Sequence, residues 1–448
     1  MKKVTAIAIA LMMISVEAGT GKRTMVLGDS ITHLGYWEYY LQLFETLRNP
    51  GSDARYYNAG YCGGSLVTGM DNLKYELDRV RPGRAFVMFG MNDVHWWEYD
   101  ASPVLSQQRR AAADGLAVRY EENYAKLINE FVAAGVTDLV LLTPTPFDEY
   151  SDLHKASRRR FVNEYGLANL SKIVRQLAVT RGVEVIDLNR FMAEAYRRYP
   201  KMGLSGDHIH PSKSGHLMMA AECLRTLSKD DPVAEVTLDA TGAVIRVENA
   251  RVTNVVALDD RLGFDYLPRS LPFPDCPEYR EVMEINPDFQ RYNREVLVVV
   301  GLSDGEWELR TEGRALGTYS AERLNRGVNL AELDTPCRRV SAQAMKAMLL
   351  LHDFDVPRRN RVCARIKYKS FGIPLNDTNA LKTKIDEYLA GLKSRNAPEY
   401  DKEKATAEDV LEAAGRDAEI NKEEEKLYSE LAAIRPVCCR IELKMHKR

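Results

Sequence analysis

From Arg23 to about Leu227 the chain alternates short, nearly unbroken apolar runs with longer amphipathic stretches. Residues 24–27, 54–58, 85–89, 138–142 and 183–188 read as strands; residues 37–48, 70–80, 120–134, 157–179 and 211–227 read as helices. Strands that are apolar on both faces and separated by helices predict a parallel sheet covered on both sides. Such sheets bind ligands beyond the carboxyl ends of their strands, so chemistry is to be sought in the loops that follow them.

The pattern changes near residue 230. Short β-type runs at 235–238, 243–247, 255–258, 296–300 and 307–311 are punctuated by Gly and Asp, which predicts a small sandwich-like module. Residues 338–355 and 379–433 read as helical, and 437–443 as a last strand that can pair with the module. The Glu- and Lys-rich stretch 401–426 reads as a solvated helix face. At the other end, Lys2 and Lys3 precede a 13-residue run, Val4 to Val16, in which only Thr5 and Ser15 are polar. Val16 and Ala18 then suit cleavage after Ala18, the layout of a secretory leader. The run is too short to span a bilayer, which takes roughly 20 residues, and no later stretch is long and apolar enough. The expected organisation is a leader at 1–18, an α/β domain at 19–230, a β-rich module at 231–336, and a helical extension with a final strand at 337–448. The protein is expected to be exported, to the periplasm or beyond the cell.

Composition narrows the function classes. Of 448 residues 45% are hydrophobic and 28% charged, which excludes an intrinsically disordered chain. The 62 Lys and Arg against 64 Asp and Glu leave a net charge of −2, so no global field draws in nucleic acid or an anionic membrane. Seven cysteines (Cys62, Cys223, Cys276, Cys337, Cys363, Cys438 and Cys439) form no CxxC pair, which argues against a zinc knuckle and a disulfide scaffold.

Four loops carry candidate chemistry. Gly28-Asp29-Ser30 ends the first strand, where a serine hydroxyl can project above the sheet beside the free amides of a helix N-terminus. Asn58-Ala59-Gly60-Tyr61-Cys62-Gly63-Gly64-Ser65 follows the second; its glycines let a backbone N–H approach a substrate oxygen. Cys62 reads there as a small spacer rather than a nucleophile. Gly90-Met91-Asn92-Asp93 follows the third strand and offers an amide donor for a developing oxyanion. Asp207-His208-Ile209-His210-Pro211 precedes the last helix of the domain. A carboxylate three residues before an imidazole can hold one ring nitrogen and leave the other to a serine. His208 competes for that role, but its side chain points away from its neighbour Asp207, so His210 is favoured; His216 reads as structural. A metal bound by this loop would lack a fourth ligand, so no metal is expected. Taken singly, each loop is also explained by a turn or a helix cap.

Their joint occurrence resembles the GDSL, or SGNH, family of serine hydrolases. Gly28-Asp29-Ser30-Ile31 matches the first block, with Ile31 in place of Leu; Gly63 falls at the second block's glycine, with Gly60 and Gly64 as alternative registers. Gly90, Asn92 and Asp93 match the third block, and Asp207, His210 and Pro211 the last. The resemblance covers about residues 23–228. It implies a flavodoxin-like fold, Ser30 as nucleophile, His210 as base and Asp207 as its orienting acid. It also implies an oxyanion hole from the Ser30 N–H, the Gly63 N–H and the Asn92 amide, and no metal or organic cofactor.

The expected reaction is ester hydrolysis through an acyl-enzyme. The aromatic stretch around Trp96 and Trp97, together with Asp29, is the candidate substrate contact, and stacking on a sugar favours a carbohydrate acetyl esterase acting on a small-molecule or polysaccharide ester. The rivals are a lipase or thioesterase of the same family, and a glycan-binding envelope protein whose hydrolase half is vestigial.

Overall fold

The computed structural model describes residues 23–136, 138–151, 159–227, 231–369, 378–414 and 416–446; the leader expected at 1–18 and the first two residues of the helix expected from 157 lie outside the described residues. Strands β1 (Arg23–Gly28), β2 (Arg55–Gly60), β3 (Arg84–Met88), β4 (Asp138–Leu142) and β5 (Glu184–Ile186) form one parallel sheet in the order β2-β1-β3-β4-β5. This is the flavodoxin-like doubly wound order, whose switch point lies between β1 and β3. Gly28 is in register with Gly60 on one side and with Met88 on the other, so three loops leave the sheet next to one another. β1, β3 and β4 are buried on both faces, as their unbroken apolar runs predict, while the edge strand β5 buries only Ile186.

Helices α1 (Ser30–His33), α2 (Trp37–Arg48), α3 (Leu66–Val80), α4 (Gln107–Ala133), α5 (Ala168–Arg181), α6 (Leu188–Arg198) and α7 (Lys213–Leu227) cover the sheet. The expected helices at 70–80, 120–134 and 157–179 differ from these at their ends. α4 starts 13 residues earlier than the pattern suggests, where Ser106 caps the Arg109 N–H. α6 went unrecognised, although Asp187 accepts the Arg190 N–H at its start.

The module beyond residue 230 is two facing sheets. β6 (Ala234–Asp239), β7 (Val244–Glu248), β10 (Glu295–Val300) and β13 (Val328–Asn329) lie in the order β13-β10-β6-β7. β8 (Ala250–Leu258), β9 (Arg261–Pro268), β11 (Glu306–Thr311), β12 (Arg314–Ser320) and β14 (Cys439–Met445) lie in the order β12-β11-β14-β9-β8. Alternation puts Val236, Leu238, Leu297 and Val299 of one sheet against Phe264, Trp307, Leu309 and Ile441 of the other. Two short helices, α8 (Pro277–Ile285) and α9 (Ala321–Arg326), interrupt the module.

The rest of the chain is α10 (Pro336–Lys369), α11 (Thr378–Ser394), α12 (Tyr400–Ala413) and α13 (Asp417–Ala432). The helix expected at 338–355 therefore runs 14 residues further, straight through Pro357, and the helical stretch expected at 379–433 is divided into three helices. These helices are no appendage. α10 packs on α2 and β2, and α13 packs on α10. Met348, Leu351, Tyr428 and Leu431 are buried in the same core as the parallel sheet. Burying a side chain of this size contributes about 1.5–3 kcal/mol, so α10 is integral to the α/β domain. β14, in turn, lies between β11 and β9.

Candidate active site

Ser30 is placed by a turn that admits only glycine before it. A Cβ on Gly28 would lie 2.3 Å from Thr32 Oγ1 and 2.9 Å from the Met88 carbonyl. Asp29 then caps α1, its Oδ1 accepting the Ile31 N–H at 2.9 Å. Ser30 is the first residue of that helix, so its own N–H has no helical partner. Ser30 Oγ lies 2.8 Å from His210 Nε2, and His210 Nδ1 lies 2.7 Å from Asp207 Oδ2. An ionised carboxylate can only accept, so the imidazole proton sits on Nδ1 and Nε2 is free to accept from the serine.

Asp207 is held as firmly as the ring it orients. Its Oδ1 accepts the backbone N–H groups of Ile209 at 3.0 Å and His210 at 2.7 Å. Burial pushes the Asp207 carboxyl up, but the His210 side-chain and backbone hydrogen bonds outweigh it and bring it down to about 2. The hydrogen bond to Asp207 raises the His210 pKa above its ordinary value, against the opposing effect of burial. His210 and Asp207 are 36% and 51% exposed, whereas Ser30 is buried at 6%.

His208 takes a different part. It adopts φ +72° and is buried. Its Nδ1 lies 2.6 Å from the Asp148 carbonyl, and its own carbonyl accepts the Asp148 N–H at 2.7 Å. It thereby ties the loop to residues 147–148. His216 is buried and its pKa falls to about 3, chiefly through desolvation.

The second and third loops are joined to each other. Asn92 Nδ2 donates to the Gly64 carbonyl at 2.7 Å, leaving its second amide hydrogen uncommitted, and Asp93 Oδ1 accepts the Leu66 N–H at 2.9 Å. Among the three glycines in question, the Gly60 N–H is taken by Asn58 Oδ1 and the Gly64 N–H by the Tyr61 carbonyl. Gly63 is exposed at φ +68° with open space where a Cβ would be. Its amide is the one of the three that can reach a ligand.

Of the residues expected at the substrate, Asp29 is buried beneath α1, and desolvation pushes its carboxyl to about 7. A substrate outside the protein does not reach it. Trp96 packs on Phe147, whose ring stacks on His208 with centroids 5.5 Å apart, so Trp96 adjoins the His210 loop. Trp97 is half exposed and stacks on His95 at 4.9 Å. His95 is in turn held by Glu98, 2.9 Å from its Nδ1. Cys62 is exposed, and all seven cysteines are free thiols.

Residues 26–218 match the GDSL-like lipase/acylhydrolase family. An acetylxylan esterase of Geobacillus stearothermophilus is 23% identical over 227 residues, which is 47% of this chain and 96% of that protein. Among solved structures, a gut microbial diltiazem-metabolizing enzyme superposes with a TM-score of 0.85 at 23% identity, covering 95% of this chain and 98% of that one. It shares the fold of the whole chain, C-terminal half included. The crystal structure of the Geobacillus stearothermophilus acetylxylan esterase covers 46% of this chain and 94% of its own at 23% identity, with a TM-score of 0.36.

Proposed function

Residues 26–218 belong to the GDSL-like lipase/acylhydrolase family, which makes this chain an ester-hydrolysing enzyme, and from that premise we propose that it is an exported carbohydrate esterase that removes acetyl or similarly small acyl groups through a Ser30–His210–Asp207 triad. The observation that carries the reading is the continuous hydrogen-bonded line from Ser30 Oγ through His210 to Asp207, at 2.8 Å and 2.7 Å.

His210 Nε2 takes the Ser30 proton as Oγ attacks the ester carbonyl. The imidazolium so formed is stabilised by Asp207, already ionised at any working pH. Charge developing on the carbonyl oxygen is met by the Ser30 N–H, the Gly63 N–H and the free amide hydrogen of Asn92. His210 returns its proton to the departing alcohol, leaving an acyl-enzyme, and then activates the water that releases the acid. No step calls for a metal or an organic cofactor.

The substrate class rests on shape and on kinship. A site whose His210 and Asp207 are partly open to solvent suits a bulky polar alcohol, such as a polysaccharide hydroxyl, with a short acyl group. Trp97 offers an exposed ring that is linked to the His210 loop through Trp96 and Phe147, and the relative is named an acetylxylan esterase. Export rests on the basic start and apolar run of residues 2–18. The test is Ser30→Ala, which is expected to fold normally and lose turnover of 4-nitrophenyl acetate and of acetylated xylo-oligosaccharides. Retained turnover refutes the triad. Within the wild type, activity rising toward octanoyl and longer esters replaces the acetyl reading with a lipase.

A further inference from the structure

The loop that carries Gly63 is gripped by an arginine from the far half of the chain. Arg359, on α10, is 1% exposed. Its Nη2 donates to the Gly60 carbonyl at 2.7 Å, across 299 residues of sequence. Its Nη1 donates at 2.7 Å to Oε1 of Glu76, which is fully buried on α3. The guanidinium lies over the Tyr61 ring, 5.0 Å from its centroid, and the Tyr61 hydroxyl donates to the same Glu76 oxygen at 2.6 Å. Arg79 completes the set, its Nε on Glu76 Oε2 at 2.9 Å and its Nη2 on the Asn58 carbonyl at 2.7 Å. Two cations thus flank one carboxylate, and the backbone on either side of Ala59 hangs from them. The next residue of α10 continues the hold: Asn360 Oδ1 lies 2.8 Å from Nε2 of His33, the last residue of α1.

A charge this deeply buried is costly unless every partner is in place. Stability alone does not require it, since a well-packed apolar side chain would serve as well or better. What the arginine supplies and an apolar residue does not is a fixed planar fork that sets a backbone carbonyl, an aromatic ring and a carboxylate in one geometry. All three belong to, or brace, residues 60–63. Gly63 has open space where a Cβ would be and a φ of +68°, and it lies in the turn closed by the Gly64 N–H on the Tyr61 carbonyl, so its amide direction depends on where Gly60 and Tyr61 are held.

We propose that Arg359 is a positioning residue for ester hydrolysis: from α10 it fixes the Gly60–Tyr61 backbone so that the Gly63 N–H points at the developing oxyanion. The proposal rests on the reading of Gly63 as an oxyanion donor. It makes the C-terminal half a working part of the active site.

The test is Arg359→Lys, which keeps the buried charge near Glu76 but cannot also hold the Gly60 carbonyl and cover the Tyr61 ring. A displacement of about 1 Å at a catalytic group costs up to about 100-fold. The expected result is a folded protein whose kcat for 4-nitrophenyl acetate falls about 10-fold or more at a temperature well below its melting point. KM is expected to stay within about threefold and the acid limb of the pH profile to stay unmoved, because His210 and Asp207 are untouched. A merely structural arginine would lower the melting temperature and leave kcat alone; a folded R359K with kcat within twofold of wild type overturns the proposal. Should R359K fail to fold, R359Q decides, since Glu76 keeps its ion pair with Arg79; it is expected to fold and show the same loss in kcat, and wild-type kcat in it overturns the proposal. Ser30→Ala run alongside separates the two ideas. An inactive S30A with a fully active R359K sinks the positioning role alone, whereas an active S30A sinks the triad beneath it.

Discussion

Replacing Asp207 by Asn tests the site with the least disturbance to the fold. The carbonyl of an asparagine can still accept the Ile209 and His210 N–H groups that Asp207 Oδ1 accepts now, so the loop keeps its shape. Its amide nitrogen, however, replaces Oδ2 at 2.7 Å from His210 Nδ1. Two donors cannot face each other, so Nδ1 must give up its proton and Nε2 must carry one. That proton then points at Ser30 Oγ, and the ring can no longer take the serine's. Locking the wrong tautomer costs up to about 10⁴-fold in a serine hydrolase; because this ring is partly open to water, a loss of about 10² to 10⁴ is expected, equivalent to about 3–5 kcal/mol of barrier. The pH dependence moves as well. kcat/KM depends on neutral His210, so in the wild type it falls as pH drops through a pKa that Asp207 holds above the ordinary 6.5. Without the carboxylate the main cause of that elevation is gone. The acid limb of D207N is therefore expected at lower pH than that of the wild type, on a much lower plateau. The assay is initial-rate hydrolysis of 4-nitrophenyl acetate between pH 5 and 9. A loss below about tenfold, or a large loss with the limb unmoved, refutes the reasoning.

Two further changes separate charge stabilisation from substrate contact. Asn92→Ala removes one amide donor and is expected to lower kcat by about 10² to 10³ with little change in KM; kcat within threefold of wild type would leave Asn92 only its bond to Gly64. Trp97→Ala removes an exposed ring whose stacking contributes about 1 kcal/mol. It is expected to raise KM for acetylated xylo-oligosaccharides about fivefold and to leave 4-nitrophenyl acetate kinetics unchanged, and an equal effect on both substrates would deny it a sugar contact.

The parallel sheet was legible because strands buried on both faces leave unbroken apolar runs, and 85–89 or 138–142 has no competing reading. β9 was not, because Gly263, Asp265 and Pro268 are poor strand formers that read as turn residues, although Leu262, Phe264 and Tyr266 alternate into the core. The expected helix at 338–355 ends short of Pro357, a residue that removes a helical donor, yet α10 runs through it and packs on α2 and α13. At the site, the short motifs marked Ser30, Asn92, Asp207 and His210 because each is local in sequence. They also placed Gly63, but only the occupied amides of Gly60 and Gly64 separate it from its neighbours. Asp29 is expected as a substrate contact, whereas capping α1 buries it. Arg359 gave no signal at all. It stands in a basic run, Arg358 to Arg365, of the kind that ordinarily faces water, and its partners lie about 300 residues away.

The position of β14 bears on how the molecule is made. It fills the gap between β11 and β9, more than 120 residues after β11 has been synthesised. Until residue 445 leaves the ribosome, those two strands present unsatisfied edges to each other, with Trp307 and Phe264 short of one wall of their core. The α/β sheet, complete by residue 186, can assemble early, but the sandwich cannot close until the end. A nascent chain interrupted anywhere in α11 to α13 is therefore a half-built protein with a sticky seam.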